Sequence, residues 1–139
     1  MCKLPYKIQP KNRVQLKQLI DYAFKHNIYD LNFIDTSKIT DMSYLFDNVN
    51  HNFDISCWDV SNVINTEFMF GFCNKFDCDL SYWDVSNVTD MYSMFTMCKN
   101  FKGKGLENWD VSKAEDIRYM FSGCDKMTIP NWYKLYHKK

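Results

Sequence analysis

The chain has 139 residues, of which 46% are hydrophobic and 17% aromatic, and it carries 17 Lys+Arg against 17 Asp+Glu. That apolar load excludes a disordered chain, which cannot bury enough surface to offset its ordering entropy. Four Gly and three Pro exclude a collagen-like or linker composition, and zero net charge argues against a surface given over to nucleic acid. One domain is expected at this length. The zero is uneven along the chain. Residues 1–30 hold six basic and two acidic side chains (+4), residues 31–98 hold Lys38 and Lys75 against ten acids (−8), and residues 99–139 hold nine basic and five acidic (+4).

In chain order, Met1-Cys2-Lys3-Leu4-Pro5-Tyr6-Lys7 is followed by no apolar run of signal-peptide length. No stretch approaches the roughly 18 apolar residues of a membrane span. A cytoplasmic location is expected from these features, and a surface location if Met1 is not the natural start. The six cysteines are accordingly expected to be reduced. Lys11 to His26 spaces Val14, Leu16, Leu19, Ile20, Ala23 and Phe24 along one side of a helix. Asn12 is the expected N-cap and Asn27 the stop. Residues 1–30 are read as an N-terminal helical cap.

The body of the chain recurs on itself. Trp58-Asp59-Val60-Ser61-Asn62-Val63 returns as Trp83-Asp84-Val85-Ser86-Asn87-Val88 and as Trp109-Asp110-Val111-Ser112-Lys113-Ala114, with a looser first copy from Ile34 to Ile39. Leu45-Phe46, Met69-Phe70, Met94-Phe95 and Met120-Phe121 keep the register, as do Cys73, Cys98 and Cys124, with Val49 in the first copy. A unit of about 25 residues cannot close a core alone, but copies stacked on one another bury the same columns in each. The expected fold is an α/β repeat solenoid: a leucine-rich-repeat-like stack of about four 25-residue coils over residues 31–128, with an N-terminal capping helix. Within each coil, Leu-x-x-Trp is expected as a short strand and Asp-x-Ser-Asn as a turn. Residues 129–139, opening on Ile129-Pro130-Asn131-Trp132, are read as a C-terminal cap.

The Trp-Asp-Val-Ser-Asn-Val-Thr-Asp-Met…Met-Phe…Cys…Phe pattern over about residues 31–132 resembles the BspA-like leucine-rich-repeat surface proteins. That resemblance implies a leucine-rich-repeat-type solenoid acting through protein binding. It also makes a bacterial surface adhesin or host-interaction protein the alternative to an intracellular one.

The residues that could carry chemistry read mostly as structure. Cys73, Cys98 and Cys124 have no Cys-x-x-Cys partner and are expected as small buried hydrophobes. Asp35, Asp59, Asp84 and Asp110 form one aspartate column, and Asp41, Asp90 and Asp116, with Asn65, form another. Both are expected to cap turns, with calcium binding the weaker alternative for the aspartates and zinc or redox use the weaker alternative for the cysteine column. Neither metal nor other cofactor is expected, and no enzyme signature stands out. Asp54, Glu67, Asp77 and Asp79 lie outside those two columns. With Tyr44, Tyr92 and Tyr119 at variable positions, they are the expected partner-binding residues. The expected function is a small stand-alone binder or inhibitor, monomeric. Its partner would be another protein with a basic surface, such as a nucleic-acid groove; direct nucleic-acid or membrane binding is not expected.

Overall fold

Asn12 is extended (φ −155°) and its Oδ1 accepts the Gln15 amide at 2.9 Å, which starts helix α1 (Arg13–Lys25). In this computed structural model, residues 2 and 4–138 are described; Met1, Lys3 and Lys139, with the share of the two terminal caps assigned to them, lie outside the described residues. Leu16, Ile20 and Ala23 are the buried face of α1, while Val14 is exposed. Asn27 takes the left-handed conformation (φ 57°). The Asn27 amide then reaches the Phe24 carbonyl and the Ile28 amide the Ala23 carbonyl, a Schellman close. Arg13 Nε donates to the Ser43 carbonyl at 2.8 Å, and Phe24 packs on Phe46 and Phe53, so α1 covers the first unit of the body. Ahead of α1, Ile8 forms a parallel bridge to Ile34.

From Leu31 onward the chain runs as tight turns. In the second unit, for example, the Trp58 amide bonds the Ile55 carbonyl, Val63 bonds Val60, Met69 bonds Thr66 and Cys73 bonds Phe70. One pair of residues recurs at positive φ in every unit: Tyr44 and Asn48, Phe68 and Phe72, Ser93 and Met97, Tyr119 and Gly123. These bends leave alternate amides facing the next unit. Thr66, Phe68, Phe70 and Phe72 donate to the carbonyls of Asp90, Tyr92, Met94 and Thr96, each at 2.9 Å. Single parallel bridges join Asp41 to Asn65, Asn65 to Asp90 and Asp90 to Asp116.

The expected α/β solenoid of leucine-rich-repeat-like coils does not form. Among the described residues there is no sheet, only isolated bridges, and helix is confined to α1, a 3-10 turn (Leu106–Asn108) and α2 (Asn131–Tyr136). The reason is local. The segments expected as strands fold back on themselves: Ile34 bonds Leu31, Trp58 bonds Ile55, Trp83 bonds Leu80 and Trp109 bonds Leu106. Their amides are spent on turns three residues back, so no ladder of cross-strand bonds can grow from them. The solenoid and leucine-rich-repeat descriptions are both overturned by this predominance of turn and coil.

Side chains tie the units together. Phe46, Phe70, Phe95 and Phe121 stack at centroid distances of 5.7, 5.1 and 5.8 Å, with Phe53, Phe76 and Phe101 beside them. Trp58, Trp83, Trp109 and Trp132 each send Nε1–H to a carbonyl of the preceding unit: Leu31, Ile55, Leu80 and Leu106. Trp132 lies in α2, so α2 is pinned in the same register. The Tyr136 hydroxyl adds bonds to the Ala114 and Glu115 carbonyls. Every buried side-chain nitrogen and oxygen among the described residues has a partner.

Candidate functional site

The aspartate columns cap turns in three rows, not two. Asp35, Asp59, Asp84 and Asp110 accept the amides of Ser37, Ser61, Ser86 and Ser112. Asp41, Asn65, Asp90 and Asp116 do the same two residues on. The third row is Asp30, Asp54 and Asp79, which accept the amides of Asn32, Ser56 and Ser81. Asp54 and Asp79 therefore belong to a turn row that the sequence reading missed. The signal for it was the Asp-x-Ser spacing at 54–56 and 79–81, hidden because Gly105 replaces aspartate in the fourth unit.

This third row lines an open recess of about 390 Å³, with Asp30, Asp54, Asp77 and Asp79 on its walls beside Tyr29 and Cys78. Burial works against the Asp54 charge, but bonds from Ser56 and Asn32 outweigh it and hold the carboxyl below its ordinary range. The Ser81 hydroxyl and amide, then Lys104, do the same for Asp79. The Asp77 carboxylate accepts the Lys102 amide at 3.1 Å, and the Asp77 amide donates to Asn52 Oδ1 at 3.0 Å. Lys102 and Lys104 reach across to Asp77 and Asp79 at 3.5 and 3.1 Å, but both lysine side chains are more than 70% exposed, so these pairs are weak and screened. The structure thus brings together three of the expected binding residues and adds Asp30.

The remaining four lie elsewhere, along an aromatic row. The Tyr44 hydroxyl donates to Glu67 Oε1 at 3.1 Å, which pushes the Tyr44 phenol above its ordinary value. Tyr44 stacks on Phe68 at 5.3 Å, and Tyr92 meets Tyr119 edge-on at 5.8 Å with Arg118 over the Tyr92 ring. Phe72, 42% exposed at positive φ, extends the row beyond what the sequence suggested. Arg118 is held bidentate by Asp116.

The cysteine column is buried. Cys73, Cys98 and Cys124 each donate the thiol to the carbonyl of a phenylalanine one unit back, Phe46, Phe70 and Phe95, at 2.9 Å. Burial pushes the Cys73 thiol up to about 12 and the Cys124 thiol up to about 11. Cys78 is likewise pushed up to about 12 by burial. Among the described residues no three His, Cys, Asp or Glu side chains converge to hold a metal. Cys2 and Cys57, expected to be reduced, are joined as a disulfide with Cα atoms 5.3 Å apart. Among the described residues no helix is long and apolar enough to cross a membrane.

Fold and surfaces define a protein of stacked turn units, bearing an acidic recess and a separate aromatic row that share no residue. The chain belongs to the family described as "Mycoplasma protein of unknown function, DUF285", which matches residues 14–132, from within α1 to Trp132 in α2. No curated protein and no solved structure matches it.

Proposed function

We propose that the chain is a non-catalytic protein-binding module, a small binder or inhibitor that docks on the basic surface of a partner protein. The recess carries the reading: four carboxylates, two of them fixed by turn bonds that favour the charged form, converge on one open concavity. Such a patch steers a basic partner into place and rejects an acidic one. The aromatic row supplies the large, stiff side chains that dominate protein interfaces.

The test exploits the turn chemistry. Asparagine keeps the Oδ1 acceptor and removes the charge. Asp54→Asn/Asp77→Asn/Asp79→Asn should stay folded yet bind a fluorescent deca-arginine peptide at least about tenfold more weakly. Affinity of the unmodified protein should fall steeply as NaCl is raised. Asp59→Asn/Asp84→Asn/Asp110→Asn, with the same charge change outside the recess, should leave binding intact. Equal losses in the two triple variants would mean that net charge, not the recess, does the binding.

A second reading, a surface protein that contacts a host, is favoured by one observation, the Cys2–Cys57 disulfide. Disulfides persist in oxidising compartments and are rare in the cytosol. Alkylation of the native protein under denaturing, non-reducing conditions separates the two locations. Four labelled cysteines support the surface, and six support the cytoplasm.

A further inference from the structure

Each unit hands a row of backbone amides to the next. Met42, Tyr44, Phe46 and Asn48 donate to the carbonyls of Asn65, Glu67, Met69 and Gly71, and the pattern repeats until Met91, Ser93, Phe95 and Met97 donate to Asp116, Arg118, Met120 and Ser122. The equivalent amides of the last unit are those of Ile117, Tyr119, Phe121 and Gly123. None of them meets an acceptor among the described residues. Buried or shielded amides almost always find a partner, so four in register at one edge form a template for another chain.

At the opposite end the corresponding carbonyls are those of Asp41, Ser43, Leu45 and Asp47, and Arg13 of α1 already occupies the Ser43 carbonyl. At the open end α2 is anchored by Trp132 and Tyr136 to Leu106, Ala114 and Glu115, and its Trp132 and Tyr133 rings pack on the Phe121 side chain. Between α2 and the last unit lies a recess of about 450 Å³, with Tyr119 and Phe121 on the unit side, Ile129, Tyr133 and His137 on the α2 side, and Arg118 beside them. Residues 126–138 hold Lys126, Lys134, His137 and Lys138 and no acid at all.

We propose that this edge docks an acidic polypeptide segment of a partner protein. The segment's backbone carbonyls would take the four open amides, as each unit takes those of its neighbour, and its carboxylates would face the basic stretch from 126 to 138, since Arg118 is already held by Asp116. Tyr119 and Gly123 are both at positive φ, so the segment follows a bent rather than a straight path. A second copy of the chain fits poorly. Two open ends would set donors against donors, and an open end meeting the α1 end finds the Ser43 carbonyl already taken by Arg13. This edge takes Tyr119 and Arg118 from the aromatic row but shares no residue with the acidic recess and selects the opposite charge, so the edge and the recess fail or stand separately.

Amide exchange of the full chain, followed by NMR, tests the edge with two capped octapeptides, one alternating Glu and Val, the other Lys and Val. The Glu peptide should slow exchange at Ile117, Tyr119, Phe121 and Gly123 by about tenfold or more, and the Lys peptide should not. Lys134→Glu/Lys138→Glu, two exposed changes, should weaken the Glu peptide about tenfold. Unchanged exchange at these four amides, or equal slowing by both peptides, overturns the proposal. So does slowing that appears without peptide as protein concentration rises, which would assign the edge to self-association.

Discussion

Trp83 Nε1 donates to the Ile55 carbonyl at 3.1 Å, so the indole that fills one unit also satisfies a buried acceptor of the unit before it. Core filling and register are thereby one interaction. Trp83→Ala should cost about 3–5 kcal/mol in urea unfolding. Trp83→Phe keeps most of the volume but orphans the Ile55 carbonyl, and should cost about 1–3 kcal/mol. A loss below about 1 kcal/mol for the alanine variant would contradict this placement.

The turn aspartates make acid stability a readout of the fold. Asp54, Asp79, Asp84 and Asp110 are all held below the ordinary carboxyl value of 3.8; for Asp84 and Asp110 the chief cause is the serine hydroxyl two residues on. The unfolded chain therefore binds these protons more readily than the folded one. Stability should be fully present above about pH 3.8 and fall as pH drops through the depressed values. Asp84→Asn, which keeps the Ser86 bonds, should flatten that acid limb with little change in Tm at neutral pH. Asp84→Ala should lower Tm.

The buried thiols act at the other end of the pH scale. Cys73 and Cys124 are pushed up to about 12 and about 11 from an ordinary 9.0, so the unfolded chain ionises first. Stability should decline from about pH 9 upward and level off only beyond the folded values. Of the unpaired cysteines, Cys73, Cys78, Cys98 and Cys124, none should react with Ellman's reagent at pH 8 until denaturant is added.

Gly105 stands where the first three units carry aspartate. It has φ 93°, and a Cβ there would meet the Ser81 amide nitrogen and come within 2.7 Å of the Leu80 carbonyl carbon, both rigid backbone. Gly105→Ala should cost more than about 1 kcal/mol. Gly123, also at positive φ, faces the flexible Met97 side chain instead and should tolerate alanine better.

The Cys2–Cys57 bond closes a loop of sequence separation 55. On the chain-entropy account its removal should cost up to about 4 kcal/mol. Cys57→Ser compared with the oxidised protein in urea unfolding measures it. Equal midpoints would show that the N-terminal segment contributes nothing through this link.

Much of the core was legible. The recurring Trp, Phe and Cys columns named which side chains are equivalent, and equivalence plus apolarity was enough to place them inside. The helix limits were legible because Asn12 and Asn27 have the local chemistry that caps require. Asx turns were legible at Asp59 and Asp84 because the carboxylate bonds an amide only two residues away. The disulfide was not, since Cys2 and Cys57 meet only through the path of the folded chain.

The sequence by itself determined the period, the buried columns and the turn-capping aspartates, because each depends on side-chain type and near-neighbour spacing. Tertiary structure alone decided how the backbone spends its hydrogen bonds. Tyr44, Phe68, Phe72 and Tyr119 are left-handed without being glycine or asparagine, so no residue type announces the bends. Those bends aim alternate amides along the stack, while the expected strands close as turns through bonds such as Trp58 to Ile55. Tyr44 and Glu67 lie apart from Asp54, Asp77 and Asp79, and the amides of Ile117, Tyr119, Phe121 and Gly123 are left open at one end.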